Sequence, residues 1–227
     1  MSIWTRISEA LALVGDSVGG FLAKLAKARV SAPEKTLGFT IGMIALGAKM
    51  AKADGVVTDD EVHAFAQVFH VPEKDRPAVE RVFNLAKQDV AGFESYALQV
   101  VKLFKLKSSV LESVLDGLFH IAKADGVIHE NELAYLESVA EIFGFVNADF
   151  ARIRSRHVAL RDDPYDVLGL ERGIEFSEIK KKYRSLVREL HPDKQIAAGV
   201  PAEMVKLSTE RLSRINDAYG LIEKEFA

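Results

Sequence analysis

Apolar residues recur every three or four positions along most of this chain, a spacing typical of amphipathic helices. One such seam near the N-terminus consists of Trp4, Ile7, Leu11, Val14, Val18, Phe21, Leu25 and Ala28. The same periodicity predicts further helices over 37–53, 75–90, 93–106 and 110–124. These patterns predict an all-α fold.

Three alternatives are open for the N-terminal seam. It could pack on its own domain, or it could self-associate through residues 1–30, where Gly15 and Gly19 form a pair that lets two helices approach closely. It could also make peripheral contact with the inner membrane face, helped by basic residues near its end. Glu9 and Asp16 interrupt the apolar run, so we expect neither a membrane span nor a secretory signal.

A repeat follows this seam. The stretch AKADGVVTDDEVHAF at 51–65 matches AKADGVIHENELAYL at 122–136. In each copy a helical run precedes an Asp-Gly turn, where Gly55 and Gly126 are expected to end the helix with positive φ. A second helix follows each turn, and in the first copy Thr58 and Glu61 have the spacing of a capping box. We therefore predict an all-helical domain over 33–150, built as two related halves.

The two turns are rich in carboxylates, which are the ligands that calcium prefers. The candidate metal ligands are Asp54, Asp59, Glu61, Asp125, Glu130 and Glu132. The spacing does not meet the EF-hand pattern, and acidic residues at these places also stabilise helix N-termini. Two interpretations stay open: helix-terminal electrostatics, or a cation site that would make the chain a metal- or stress-sensing adaptor.

A basic segment, ARIRSRHVALRDD at 151–163, follows the repeat. Pro164 stops a helix from continuing through it. Interleaved aromatic residues would favour binding to nucleic acid, but none lies among these basic residues. We expect residues 151–162 to be a solvated helix end and linker, with no nucleic-acid partner.

The C-terminal segment predicts three more helices. A short one carries Tyr165, Val167 and Leu168 and ends at Gly169, a second runs over about 176–190, and a third runs over about 202–224. Their apolar stripes can bury each other in an antiparallel hairpin. The outer side of the second helix carries a basic strip formed by Lys180, Lys181, Arg184 and Arg188, which runs into His191, Pro192 and Asp193.

This end of the chain lacks the pattern of a hydrolase or of a metal centre. No G-x-S-x-G motif is present, and one His with one Asp supplies too few ligands for zinc. A phosphate-binding glycine loop is also missing. Because Pro192 restricts the backbone on both sides, we predict a rigid, exposed loop that recognises an acidic protein surface.

Composition narrows the functional class further. The chain has 227 residues, 48% hydrophobic and 28% charged, which suits one or two soluble globular domains. It contains no cysteine, so disulfides, thiol catalysis and thiolate metal sites are excluded. The net charge of −3 does not favour nucleic acid. We expect a cytoplasmic location, with the inner membrane face as the alternative noted above.

Resemblances to known families add to these predictions. The two KADGV turns with their acidic followers resemble the TerB-like family of tellurite-resistance proteins, which implies a helical interaction domain. The blocks DPYDVLGL, EIKKKYRSLVRELHPDK and INDAYGLI resemble a J domain of the DnaJ (Hsp40) family over 163–227. The loop HPDKQIAAGVPAEM and the order of the two domains are similar to the DjlA-type family of DnaJ-like co-chaperones.

The resemblance to J domains implies a DnaK-type Hsp70 as partner, with stimulation of its ATP hydrolysis. It implies no enzymatic activity and no cofactor of the chain's own, and it leaves the client protein unknown. The residues that it implies for Hsp70 binding are His191, Pro192, Asp193, Lys180, Lys181, Arg184 and Arg188. The expected organisation is an amphipathic N-terminal helix over 1–32, a TerB-like targeting or interaction domain over 33–150, the basic linker over 151–162 and the J domain over 163–227.

Overall fold

The computed structural model describes residues 3–14, 18, 20, 22, 32–53, 63, 65–66, 71–88, 92–123, 126–158, 163–202 and 205–226. No strand occurs among them, which confirms the predicted all-α class. The helices are α1 (Ile3–Val14), α2 (Ala32–Ala53), α3 (Arg76–Gln88), α4 (Phe93–Leu103), α5 (Ser109–Ala122), α6 (Glu130–Ile142), α7 (Ala148–Val158), α8 (Pro164–Leu168), α9 (Phe176–Leu190), α10 (Pro192–Ala198) and α11 (Val205–Glu225), with a 3₁₀ turn at Glu73–Asp75.

Helices α1 to α7 form one unit, here called the repeat domain. Its centre is α2, which contacts α3, α4, α5 and α6. The helices preceding the two Asp-Gly turns, α2 and α5, therefore lie against each other. Tyr135 of α6 donates a hydrogen bond to the Leu46 carbonyl of α2 at 2.7 Å, which links the two halves inside the core. Gly126 has the expected positive φ of 97°, whereas Gly55, Thr58 and Glu61 lie outside the described residues.

The described part of the N-terminal seam packs on its own domain. Trp4 and Ile7 are fully buried, as are Val18 and Leu22 further along, and all four join the main core. Helix α1 contacts α2 and α3. This arrangement agrees with the first of the three alternatives for this stretch. Within the described ranges, no helix has the length and hydropathy needed to cross a membrane.

Helices α8 to α11 form a second unit, here called the C-terminal domain, with its own core. Ile179, Leu186 and Leu190 of α9 pack with Ile215 and Ile222 of α11. Helix α9 coincides with the predicted range of about 176–190, and α11 is described from Val205, with 203–204 outside the described residues. The predicted end of the short helix is confirmed too, because Gly169 terminates α8 with a φ of 67°.

The loop predicted after the basic strip is wrong in one respect, because Pro192–Ala198 forms helix α10. Proline suits the first position of a helix, where its fixed φ is helical and no backbone N–H is needed. The proline that ends α9 therefore also begins the next helix. His191 serves both helices as the flanking residue, with φ −56° and ψ 131°.

The repeat domain and the C-terminal domain pack directly against each other. Helix α5 contacts α10 and α11, and α7 contacts α8. Val200 and Val205 of the C-terminal domain are 1% and 7% exposed, because they are buried in the main core of the repeat domain. Burying two valines in the neighbouring core holds the C-terminal domain in place by the hydrophobic effect.

Candidate functional site

The predicted basic strip is exposed along α9. The side chains of Lys180, Lys181, Arg184 and Arg188 all face solvent. Lys180, Arg184 and Arg188 are spaced by four residues, so they line one side of the helix. Lys181 Nζ lies 3.6 Å from Glu178 Oε2, with exposed fractions of 79% and 60%, so this pair contributes little to stability. The strip therefore remains available as a positive surface.

The opposite side of α9 is fixed by packing. The ring of Tyr183 stacks on the ring of Tyr219 with centroids 4.0 Å apart. The Tyr183 hydroxyl donates to Asn216 Oδ1 at 3.1 Å. Together with the buried Ile179, Leu186 and Leu190, these contacts orient α9 so that its basic residues point away from α11.

The segment His191–Asp193, here called the His-Pro-Asp turn, follows the basic strip directly. The Asp193 backbone N–H donates to His191 Nδ1 at 3.2 Å, so the imidazole caps α10. A nitrogen that accepts a hydrogen bond carries no proton, which assigns the proton of the neutral ring to Nε2. His191 Nδ1 also lies 3.7 Å from Asp193 Oδ2, but this contact is no ion pair in that tautomer. The turn therefore presents the Nε2–H of His191 and the Asp193 carboxylate, whose side chains are 56% and 90% exposed.

An open groove of about 510 Å³ joins the strip to the turn. Its lining residues are Tyr183, Arg184, Val187, Arg188, His191, Asp193 and Lys194. The lining combines an aromatic and an apolar side chain with mainly cationic ones, a combination that suits a protein segment carrying carboxylates. Four of the residues that the J-domain resemblance implies for Hsp70 binding thus lie at one surface: Arg184, Arg188, His191 and Asp193.

A buried cluster of charges lies where the two domains meet. Glu112 and Asp116 of α5 are both buried, although they carry like charges. Glu112 Oε1 accepts from Arg152 at 2.8 Å, from Arg156 at 2.9 Å and from Arg211 at 2.7 Å. Asp116 Oδ1 accepts from Arg156 at 2.9 Å and lies 2.8 Å from His157 Nε2. Arg211 comes from the C-terminal domain, so the cluster joins both units.

The cluster changes the acidity of its carboxyls. Burial alone would raise the pKa of Glu112, but the charges of Arg211, Arg156 and Arg152 outweigh it and lower the pKa to about 2. Burial would likewise raise the pKa of Asp116, yet Arg156 and the hydrogen bond from His157 hold it well below its usual range. Both groups are therefore ionised near neutral pH, and the surrounding arginines compensate their charges.

These contacts correct the interpretation of the basic segment at 151–162. Residues up to Val158 belong to α7, and 159–162 lie outside the described residues. The side chains of Arg156 and His157 are only 6% and 8% exposed, so the expectation of a solvated segment is wrong for them. Both side chains find partners inside the repeat domain, because α5 of the same domain supplies the carboxylates of Glu112 and Asp116.

The sequence analysis did not predict that one face of α5 packs against the C-terminal domain. Every residue from Val110 to Phe119 is buried. Ser109, Glu112, Ser113 and Asp116 have the spacing of one helical face, which by itself indicates a solvated side. The polar face was visible in the sequence, but not the second domain that covers it.

The metal hypothesis concerns residues of which only two are described. Glu132 Oε2 accepts from the His129 backbone N–H at 2.9 Å, so this carboxylate caps α6. Glu130 is exposed in the first turn of the same helix. Asp54, Asp59, Glu61 and Asp125 lie outside the described residues. No group of three or more potential metal ligands occurs in the described part, and the cation site stays a prediction.

Comparison with protein families separates the same two regions. Residues 40–155 match the family model "Tellurite resistance protein TerB", and residues 163–225 match the model "DnaJ domain". The first match covers most of the repeat domain. The second covers α8 to α11 with the basic strip and the His-Pro-Asp turn.

Curated relatives share both regions. The protein named "Co-chaperone protein DjlA" from Coxiella burnetii is 30% identical over 77% of this chain and 73% of its own length. Proteins of the same name from Photobacterium profundum and Escherichia coli K12 are 26% and 25% identical, over 93% and 78% of this chain and 84% and 75% of their own lengths. No solved structure matches the chain.

Proposed function

This chain belongs to the DjlA family of co-chaperones, and on that premise we propose that its C-terminal domain stimulates ATP hydrolysis by a DnaK-type Hsp70. The observation that carries this proposal is the exposed His-Pro-Asp turn at the end of the exposed basic strip. The turn and the strip lie on one surface, which the repeat domain leaves uncovered.

The basic strip provides the docking contact in this mechanism. Arg184 and Arg188 line the groove beside the turn, with Lys180 and Lys181 further along α9. Exposed cations attract an acidic protein surface and raise the rate of association, with little desolvation cost. The strip therefore brings the two proteins together and sets the orientation of the turn.

The His-Pro-Asp turn then acts on the conformation of the Hsp70. His191 Nε2–H and the Asp193 carboxylate offer one donor and one acceptor on a rigid backbone. A partner can shift a conformational equilibrium only by binding one state more tightly than the other. These groups favour the hydrolysing state of the Hsp70, and the chemistry takes place in that protein. The chain is thus an activator rather than an enzyme.

The repeat domain has the targeting role in this proposal. The residues assigned to Hsp70 contact all lie in α9, at the start of α10 or at His191 between them, so the surface of the repeat domain is left for other partners. It would place the C-terminal domain near a client protein. Hsp70 binding by the full chain should consequently survive charge changes on the exposed faces of α4 and α6.

The decisive test is single-turnover ATP hydrolysis by a bacterial DnaK with the full chain and its His191→Gln variant. Gln does not reproduce the Nδ1 cap of α10, but loss of one helix cap costs only about 1 kcal/mol, so the fold should persist. We expect stimulation by the parent and none by the variant. Asp217→Asn, at an exposed position of α11, is the matched control and should stimulate like the parent. Full stimulation by His191→Gln would rule out the assigned mechanism.

A further inference from the structure

The side chain of Gln195 connects the two helices that flank the His-Pro-Asp turn. Gln195 is 1% exposed and lies in α10, where its backbone N–H donates to the His191 carbonyl at 3.0 Å. Its side-chain Nε2 donates to the Glu189 carbonyl, in the last turn of α9, at 2.8 Å. A carbonyl can only accept, so this bond fixes the orientation of the amide. Gln195 therefore ties the end of α9 to α10 across the turn.

The second proton of the same amide reaches the repeat domain. Gln195 Nε2 also donates to Ser109 Oγ, at the start of α5, at 2.9 Å. The amide nitrogen thus satisfies both of its N–H donors, one within the C-terminal domain and one across the interface. A buried donor left without an acceptor would carry a desolvation penalty, so the hydroxyl of Ser109 favours this position of Gln195.

Ser109 is itself held on a rigid element. Helix α5 is buried along its length in the main core, and Ser108 caps its start by accepting from the Leu111 N–H at 3.4 Å. The Ser113 hydroxyl donates to the Ser109 carbonyl at 2.9 Å and lies 3.4 Å from Ser208 Oγ of α11. Because well-packed cores deform little, α5 is a fixed reference for the turn.

The segment that follows α10 also packs against the repeat domain. Val200 and Val205 are buried in the repeat-domain core, and Arg211 pairs with Glu112 at 2.7 Å. The contacts of α10 are therefore made on the side that faces α5. His191 and Asp193 remain 56% and 90% exposed, so docking supports the turn without covering it.

We propose that Ser109 and Gln195 are positioning residues through which the docked repeat domain holds the His-Pro-Asp turn in its active geometry. This inference rests on the proposed function and adds regulation to it: the repeat domain sets how well the turn works. Holding a binding element in its bound conformation lowers the entropy lost on association and in the activated complex. Loosening the turn should therefore lower maximal stimulation more than it weakens docking through the basic strip.

The test uses the full chain with Ser109→Ala, which removes the interdomain acceptor and leaves the bond to Glu189. We expect maximal stimulation of single-turnover ATP hydrolysis to fall about threefold, with the half-saturating concentration unchanged. Ser109→Thr keeps a hydroxyl and should restore the parental value. Ser138→Ala is the matched control, because its exposed hydroxyl donates only to the Ala134 carbonyl of its own helix.

A second measurement needs no Hsp70. The amide protons of Asp193, Lys194 and Gln195 bond to His191, so their hydrogen exchange reports opening of the turn. Ser109→Ala should accelerate their exchange by about threefold, whereas Ser109→Thr and Ser138→Ala should not.

The outcomes separate the two proposals. A parent that fails to stimulate overturns the proposed function, and the exchange rates still decide whether Ser109 holds the turn. If the parent stimulates and Ser109→Ala matches it in both measurements, the positioning role is wrong. A raised half-saturating concentration with unchanged maximal stimulation would also overturn it, since Ser109 would then affect docking only.

Discussion

Arg211 Nη2 of α11 lies 2.7 Å from Glu112 Oε1 of α5, and both side chains are only 9% exposed. The two residues come from the regions that match different family models. An ion pair buried to this degree is costly to break, because the remaining charge has lost its water without keeping its partner. Removing one member of this charge cluster should therefore weaken the interface between the two domains.

Replacing Arg211 tests this directly. Arg211→Met keeps much of the buried volume and removes the charge, so we expect the free energy of unfolding to fall by about 3 kcal/mol. Lys206→Met is the control on the same helix, since the pair of Lys206 with Glu210 is exposed at 3.8 Å and should contribute less than about 1 kcal/mol. Urea denaturation of both variants measures the difference. Equal decreases in the free energy of unfolding would show that the buried pair of Arg211 with Glu112 stabilises the protein no more than an exposed pair does.

The low pKa of Glu112 predicts acid sensitivity. The folded-state pKa of about 2 lies below its ordinary value of 4.5, so the stabilisation is complete above about pH 5 and is lost as pH falls towards 2. The shift corresponds to about 3 kcal/mol. Glu112→Gln should thus be less stable than the parent at pH 7 and approach it as the pH falls. Urea unfolding between pH 7 and pH 3 checks this.

The control for this pH dependence is Glu137→Gln, at an exposed carboxyl in the middle of α6. Its unfolding curves should follow those of the parent closely at each pH. If the Glu112→Gln and parental stabilities ran parallel over the whole range, Glu112 would not be the group that titrates.

Adding a methyl group at two different glycines should have opposite effects on the stability of the protein. A Cβ at Gly42 would overlap the side chain of Val100, where α2 approaches α4. We expect Gly42→Ala to lower the unfolding free energy by about 1–3 kcal/mol through overpacking. At Gly220 of α11 an added Cβ would meet no described atom within 4 Å outside its own stretch of helix, and Gly220→Ala should stabilise the helix by up to about 1 kcal/mol. Thermal unfolding distinguishes the two, and a stabilised Gly42→Ala would contradict the close packing of α2 on α4.

Reversing one charge of the basic strip tests docking apart from activation. Arg184→Glu should raise the half-saturating concentration in the Hsp70 assay by about tenfold at low salt, because it replaces attraction with repulsion at the rim. The effect should shrink as salt is added. Lys224→Glu reverses an exposed charge elsewhere on the same domain and serves as the control. An Arg184→Glu effect that is independent of salt would argue against electrostatic docking.

Much of the candidate surface was predictable because its determinants are local. The periodicity predicts a helix over about 176–190, which agrees with α9, and the four-residue spacing of Lys180, Arg184 and Arg188 places them on one side of it. Pro192 ends α9 for reasons that involve only its neighbours. What local reasoning missed was α10, since the same proline is also favourable at a helix start.

The amino-acid sequence by itself determined the helical class, the repeat, the exposed strip and the His-Pro-Asp turn, because helix formation and amphipathicity depend on residues within a few positions of each other. Only the tertiary structure decided what covers each face. Glu112 and Asp116 have the spacing of a solvated helix face, but in the fold Arg211 of the other domain contacts them. Val200 lies in a predicted loop, but in the fold it is buried in the repeat-domain core. Such contacts join residues far apart in the chain, and periodicity carries no information about the partner that buries a face.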